Sequence, residues 1–233
     1  MTPVAFTLAP AAMALIGAGV TAWRRPGPLA VSGIQHFAAG VVFAAAAGEI
    51  LPDLKHAGAA LPVLIGGAVG VLAMMGIEYL ETRAKGSVGL MVAVGVDLFI
   101  DGLVLGLAFV AGQTQGLLLT IALTLEVLFL GLTVSLAIGG GWRRAVGTTA
   151  LLTLLLPAGA LAAAPLGQLP APMLTAFLAF GLVALLYLVT EELLVEAHEV
   201  PDRPWTAALF FAGFLLLLLL ADLMEPAGRL APA

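Results

Sequence analysis

The sequence predicts an all-α polytopic membrane protein whose chain crosses the bilayer eight times. Hydrophobic residues make up 62% of its 233 residues and charged residues only 10%, which is too apolar for a soluble domain. The apolar residues also fall in eight runs, each long enough for the roughly 20 helical residues that a bilayer core requires. The runs cover residues 4–22, 29–51, 61–80, 88–111, 115–139, 144–164, 171–194 and 205–222.

The segments between these runs are short and rich in glycine and proline, as in RRPGP at 24–28 and VPDRP at 200–204. We therefore expect a single transmembrane domain over residues 1–233, with the lipid bilayer as its main partner. The chain has no cysteine, which excludes disulfides and thiolate metal ligands. No basic cluster indicates a nucleic-acid partner.

The basic residues predict the orientation of the chain. Two of them, Lys55 and Arg229, lie on one side of the predicted membrane. The other seven follow runs 1, 3, 5 and 7: Arg24, Arg25, Arg83, Lys85, Arg143, Arg144 and Arg203. Because Lys and Arg concentrate in cytoplasmic loops, we expect both termini outside the cytoplasm. We expect the membrane to be the cell's inner membrane.

Three carboxylates interrupt the fourth and fifth runs. Asp97 and Asp101 are one helical turn apart and share a face, and Glu126 takes the matching position in the next helix. A charge at the bilayer centre costs about 2.5–3.5 kcal/mol, so three unpaired charges would cost on the order of 8–10 kcal/mol. Hard oxygen donors suit a divalent cation. The alternative is a proton-sharing cluster that only holds the helices together.

The end of the seventh run carries a second group of polar residues. Glu192, Glu196 and Glu199 share one stripe of the helix, and Glu191 and His198 share another. Four of them, Glu191, Glu192, Glu196 and His198, predict either a relay for a metal ion or a helix end in contact with water, and the sequence does not separate the two. In the second run, His36 favours a hydrogen-bonded interface role over a ligand role.

A short sequence similarity between the second and seventh runs predicts an inverted repeat. Glu49 precedes His56 by seven residues near the end of the second run, and Glu191 precedes His198 by seven in the seventh. The two runs cross the membrane in opposite directions. Transporters are often built from inverted repeats, with the substrate site near the midplane.

Several motifs resemble the ZIP family of divalent-metal transporters, most nearly its prokaryotic branch. The segments HFAAGVVFAAAAGEILPDL (36–54), LLLPAGA (154–160) and LLYLVTEELLVEAH (185–198) are similar to the second, sixth and seventh helices of the family. The eight helices and the external termini also match, so the resemblance covers nearly the whole chain.

The resemblance also implies a metal site. The fourth helix of the family carries His-Asn-x-Pro-Glu-Gly and the fifth Gln-Asn-x-Pro-Glu-Gly, where this chain has DLFIDG (97–102) and EVLFLG (126–131). Asp97, Asp101 and Glu126 keep a ligand type at three positions of the family's two-metal centre. Apolar residues replace the other ligands: Leu98, Val127, Leu130 and Leu156. We expect one bound ion where relatives hold two.

The resemblance implies a transporter that moves a divalent metal cation toward the cytoplasm and is not an enzyme. Zinc, iron, manganese, cobalt and cadmium are the candidate substrates, and carboxylate ligands weaken the expected preference for zinc. One alternative is a divergent relative that binds or senses metal without conducting it. An intramembrane enzyme is a weaker alternative. Whether the chain forms a homodimer stays open.

Overall fold

The computed structural model describes residues 2–83, 87–138, 141–201 and 203–224. Within these ranges the chain forms eight helices long and apolar enough to cross a membrane, and no strands. The predicted all-α, multi-pass fold class is therefore confirmed. Lys85 and Arg229, which contribute to the predicted orientation, and Gly139, the predicted end of the fifth run, lie outside the described residues. The helices are α1 (Pro3–Trp23), α2 (Pro28–Ala57), α3 (Ala60–Arg83), α4 (Ser87–Ala111), α5 (Gln113–Ile138), α6 (Trp142–Gln168), α7 (Ala171–Ala197) and α8 (Pro204–Met224).

Helix α2 continues beyond its predicted end at residue 51. A π turn over Ala46–Ile50 ends two residues before Pro52. Proline has no backbone N–H and its ring clashes with the carbonyl one turn earlier, so a widened turn lets the helix pass the proline. The helix then ends at Gly58, which adopts the left-handed conformation with φ of 61°.

Helix α7 contains a second π turn, over Leu188–Leu193, and continues to Ala197. No proline accompanies this turn. Glu49 is the fourth residue of the π turn in α2, and Glu191 is the fourth residue of the π turn in α7. The short sequence similarity between the second and seventh runs thus coincides with a π turn in both helices.

Helix α6 is interrupted at Thr153 and Leu154. Pro157 lies three residues further on, and its ring would clash with the carbonyl of Thr153 in a regular helix. The Thr153 hydroxyl instead donates a hydrogen bond of 3.0 Å to the carbonyl of Ala150. The predicted sixth helix is therefore two stacked segments that together have the length of a membrane span.

Helices α4 and α6 cross in close backbone contact at two glycines. A Cβ atom added to Gly102 would meet the carbonyl oxygen of Leu156, and one added to Gly159 would meet that of Phe99. Small residues allow such an approach between membrane helices. The contact fixes the helical turn that contains Asp101 against the α6 backbone.

The same pattern of contacts recurs between α1 and α5. A Cβ atom added to Gly17 would meet the carbonyl oxygen of Leu128, and one added to Gly131 would meet that of Ala14. Leu128 and Gly131 of α5 lie 29 positions after Phe99 and Gly102 of α4. Leu156 and Gly159 of α6 lie 142 positions after Ala14 and Gly17 of α1. Two pairs of helices therefore cross at corresponding residues.

Helices α4 and α5 lie in the interior of the bundle. In an apolar stretch of 18 residues from each helix, 61% is buried in α4 and in α5, compared with 22% in α3 and 11% in α8. The carboxylate-bearing helices are thus shielded from lipid by their neighbours, which is the arrangement required of charged residues at membrane depth.

Candidate metal centre

Asp97, Asp101 and Glu126 converge on one point inside the bundle. One carboxylate oxygen from each lies within 4.8 Å of the others, and within the described residues no other group of three or more potential ligands is this compact. Asp97 is 5% exposed, and Asp101 and Glu126 are each 1% exposed. The helical period aligns the two aspartates on α4, and the packing of α5 against α4 brings Glu126 to them.

The cluster has few hydrogen-bond donors around it. Oδ2 of Asp101 and both carboxylate oxygens of Glu126 are buried and receive no hydrogen bond from an N–H or O–H group of the described protein. A buried carboxylate without donors is costly, and a cation or a proton is the usual compensation. Together the three side chains offer a divalent cation up to three anionic oxygens.

Hydrocarbon fills one flank of the cluster. Leu98, Val127 and Leu156 are at most 1% exposed and belong to one apolar group, against which Leu130 packs. These four residues occupy the positions where the ZIP motifs carry further ligands. Their side chains cannot coordinate metal, so among the described residues the three carboxylates are the side-chain metal ligands at this cluster.

A cavity of about 80 Å³ leads away from the cluster on one side. Asp97 and Glu126 lie at its inner end, whereas Asp101 lies one helical turn deeper along α4 and is not part of its wall. The wall continues along the beginning of α4 at Leu90 and the second half of α5 at Thr133, and reaches Glu196 near the end of α7. All three positions lie toward the membrane face that carries the Arg83 and Arg143 helix ends.

The four candidate residues of α7 separate into two groups. Glu192 and Glu196 are half-buried and form part of the cavity wall together with Asp97 and Glu126. Glu191 and His198 are exposed and lie outside that wall. The structure therefore brings two of the four predicted relay residues to the cavity and leaves the other two on the surface of the helix.

Helix α2 holds the end of α7 through polar contacts that the sequence did not reveal. Gln35 donates a hydrogen bond of 2.9 Å from Nε2 to Oε2 of Glu196. The Ser32 hydroxyl donates one of 2.8 Å to the carbonyl of Ala197. Both side chains are buried, and the only available signal was the presence of two polar residues in an otherwise apolar helix start.

His36 lies in the same interface and is 2% exposed. Its Nδ1 is 2.9 Å from the carbonyl oxygen of Ser32, one turn earlier, and donates to it. This agrees with the interface role that the sequence favoured. On α7, the hydroxyl of Tyr187 donates a further hydrogen bond of 2.5 Å to Glu78 of α3, so the end of α7 is joined to both α2 and α3.

The chain matches no protein-family model, and no curated protein sequence matches it. The similarity to the ZIP family stays a prediction from the sequence motifs of α2, α4, α5, α6 and α7. The function is therefore argued from the eight-helix fold and from the geometry of the carboxylates.

Proposed function

We propose that this protein is a ZIP-like transporter that moves a divalent metal cation across the inner membrane toward the cytoplasm. The observation that carries the proposal is the convergence of Asp97, Asp101 and Glu126 within 4.8 Å, buried between α4 and α5. Ionisable residues inside a membrane bundle mark ion pathways more often than they serve packing.

The cluster suits one divalent ion as cargo. Three carboxylates outweigh the charge of a dication and replace part of its hydration shell, with water as the remaining ligand. Zinc, iron, manganese, cobalt and cadmium all accept such oxygen ligands, and the absence of sulfur and imidazole from the cluster reduces the selection for zinc. The apolar flank formed by Leu98, Val127 and Leu156 supports a single ion.

The cavity supports release toward the cytoplasm. Its mouth lies toward the arginine-bearing membrane face, which is cytoplasmic by the distribution of Lys and Arg. On the other side of the cluster along α4 and α5, Leu105, Leu119 and Leu123 are at most 1% exposed and belong to one buried apolar group. We infer that this arrangement is an inward-facing state and that uptake requires a second one, in which these three leucines separate.

The recurring helix contacts support an inverted-repeat mechanism. Gly17 and Gly131 in one pair of helices correspond to Gly159 and Gly102 in the other, at the same chain offsets. A bundle with two such related halves can expose a central site alternately to either side by a rocking or sliding motion. The carboxylates of α4 and α5 lie between these halves.

Glu192 and Glu196 are proposed as the next contacts of the departing ion. They share the cavity with Asp97 and Glu126, and they are spaced one turn apart along α7. The exposed Glu191 has no place in this path, although it is the immediate neighbour of Glu192. The two adjacent glutamates therefore form a matched pair for mutagenesis.

The experiment is metal flux into proteoliposomes that contain a metal-sensitive dye, using Mn²⁺, Zn²⁺ and Cd²⁺ in turn. We expect the parent protein to conduct at least one of these ions, Asp101→Asn to conduct none, and Glu192→Gln to conduct several-fold more slowly. Glu191→Gln should match the parent. A parent protein that binds metal in detergent but gives no flux would support the non-conducting binding or sensing alternative instead.

A further inference from the structure

We propose a second metal site, formed by the imidazoles of His36 in α2 and His198, the residue that directly follows α7. It lies apart from the carboxylate cluster and offers nitrogen ligands in place of oxygen ligands. Imidazole nitrogen favours zinc, copper, nickel and related transition metals over magnesium, calcium and manganese. This inference does not depend on transport, because binding alone tests it.

The first observation is the buried ring of His36. Its Nδ1 donates to the carbonyl of Ser32, so in the neutral ring the lone pair lies on Nε2. That Nε2 is buried and has no hydrogen-bond partner in the described part of the chain. A buried polar atom without a partner calls for an explanation such as an ion or a water molecule. An imidazole whose other nitrogen is held by a carbonyl is also the usual form of a metal-binding histidine.

The second observation is the position of His198. Its ring centre lies 5.1 Å from that of His36, with the rings inclined at 61°. Tetrahedral Zn²⁺ with Zn–N bonds of about 2.0–2.1 Å places the centres of two bound imidazoles about 5 Å apart. The observed separation of the ring centres is therefore compatible with a shared ion.

The two histidines also present the same nitrogen. Nδ1 of His198 hydrogen-bonds the carbonyl of Leu194, one turn earlier in its own helix, as Nδ1 of His36 does with Ser32. Each ring is thus oriented by its own backbone, and Nε2 is the nitrogen on the opposite edge. These contacts are the carbonyl–imidazole part of a carbonyl–imidazole–metal arrangement, made once by each histidine.

The surroundings place this pair near the cavity mouth and give it negative charge. Gln35, the neighbour of His36, binds the carboxylate of Glu196, which lies two residues before His198 and contributes to the cavity wall. Water completes the shell of an ion held by two imidazoles. With two protein ligands, we expect this site to hold its ion less tightly than the carboxylate cluster, which offers three.

The experiment uses the full chain with ¹⁵N-labelled histidine, purified in detergent, and follows the ring nitrogens by NMR during addition of Zn²⁺. The chain has three histidines, which makes assignment by single substitution practical. We expect the Nε2 resonances of His36 and His198 to move with a common midpoint. Mg²⁺ at the same concentration should move neither.

Two variants sharpen the result. His198→Ala changes an exposed residue, so the fold should persist, and it should raise the Zn²⁺ concentration that half-saturates the His36 shift by about tenfold or more. His56→Ala, at the end of α2, should leave that concentration unchanged. A triple variant with Asp97→Asn, Asp101→Asn and Glu126→Gln should keep the His36 response, which separates this site from the proposed transport centre. Failure of His36 to respond in the parent, or an unchanged His36 response in His198→Ala, would overturn the proposal.

Discussion

Replacing Asp101 with asparagine should affect stability in opposite directions with and without metal. Without metal, the substitution removes one of three buried carboxyl groups whose ligand oxygens lie within 4.8 Å of one another, and with it a source of charge repulsion, so the metal-free protein should become more stable. With metal, it removes an anionic ligand, so the stabilisation by the ion should nearly disappear. Asparagine is close in size to aspartate, which keeps the packing around the site.

The distances set the size of both effects. The ligand oxygens lie within 4.8 Å of one another, and two like charges at that upper limit repel by about 3.5 kcal/mol at an effective dielectric constant of about 20. Protons taken up from solution relieve part of this, so we expect a net gain on the order of 1–3 kcal/mol. At a metal concentration about 100 times the dissociation constant, binding stabilises the parent by about 2.7 kcal/mol. A roughly 100-fold loss of affinity would reduce that stabilisation to about 0.4 kcal/mol.

The assay is thermal unfolding of the purified protein followed by the fluorescence of its three tryptophans, with and without Mn²⁺ or Zn²⁺. At about 2–4 °C per kcal/mol for a chain of this size, the metal-free variant should melt several degrees above the metal-free parent. Asp222→Asn is the matched control, because Asp222 lies near the end of α8, away from the carboxylate cluster. It should change neither the metal-free melting temperature nor the shift caused by metal.

Two results would refute this reasoning. A lower melting temperature for metal-free Asp101→Asn would mean that the acids hold the helices together through shared protons, which is the packing alternative. An undiminished metal-induced shift in the variant would mean that Asp101 is not a ligand.

Three further predictions concern packing, topology and protons. Gly102→Ala should destabilise the protein by about 1–3 kcal/mol, because its Cβ would meet the Leu156 carbonyl; in Gly76→Ala, where no described atom lies within 4 Å, thermal unfolding should show no loss. A cysteine in place of Arg143, in this cysteine-free chain, should react with an impermeant reagent only from the cytoplasmic side, and labelling from outside intact cells would contradict the orientation. Metal affinity measured by calorimetry should fall from neutral to acidic pH, because protons compete for the carboxylates, and a pH-independent affinity would exclude carboxylate ligands.

The eight helices, and which polar residues near the end of α7 share a face, were predictable because both depend on local sequence patterns. Apolar length alone indicates a membrane span, and the helical period places Glu192 with Glu196 and Glu191 with His198. The structure places Glu192 and Glu196 of the first stripe in the cavity wall and both members of the second on the exposed surface. Glu199, the third member of the first stripe, is exposed and lies outside the wall because α7 ends before it. The convergence of Glu126 with the aspartates of α4 was likewise expected from their matching positions.

The contacts between α2 and α7 were not predictable, because they join residues far apart in the chain. Gln35 reaches Glu196 across 161 positions, and no local pattern indicates that pairing. The π turn over Leu188–Leu193 gave no signal either, since it lacks the proline that accompanies the π turn in α2. The juxtaposition of His36 and His198 results from this packing and could not be derived from their spacing.

The π turn in α7 has a consequence for changes in chain length. A π turn holds one residue more than an α turn, so the loss of one residue inside Leu188–Leu193 can convert it to a regular turn and leave the C-terminal end of the helix in place. Deletion of the exposed Thr190 should therefore keep Glu196 in reach of Gln35. Deletion of Ala184, in the α-helical part, should instead rotate the rest of the helix by about 100° and carry Glu196 away from the cavity. Helix α7 is thus tolerant of a one-residue deletion at one turn and intolerant of it elsewhere.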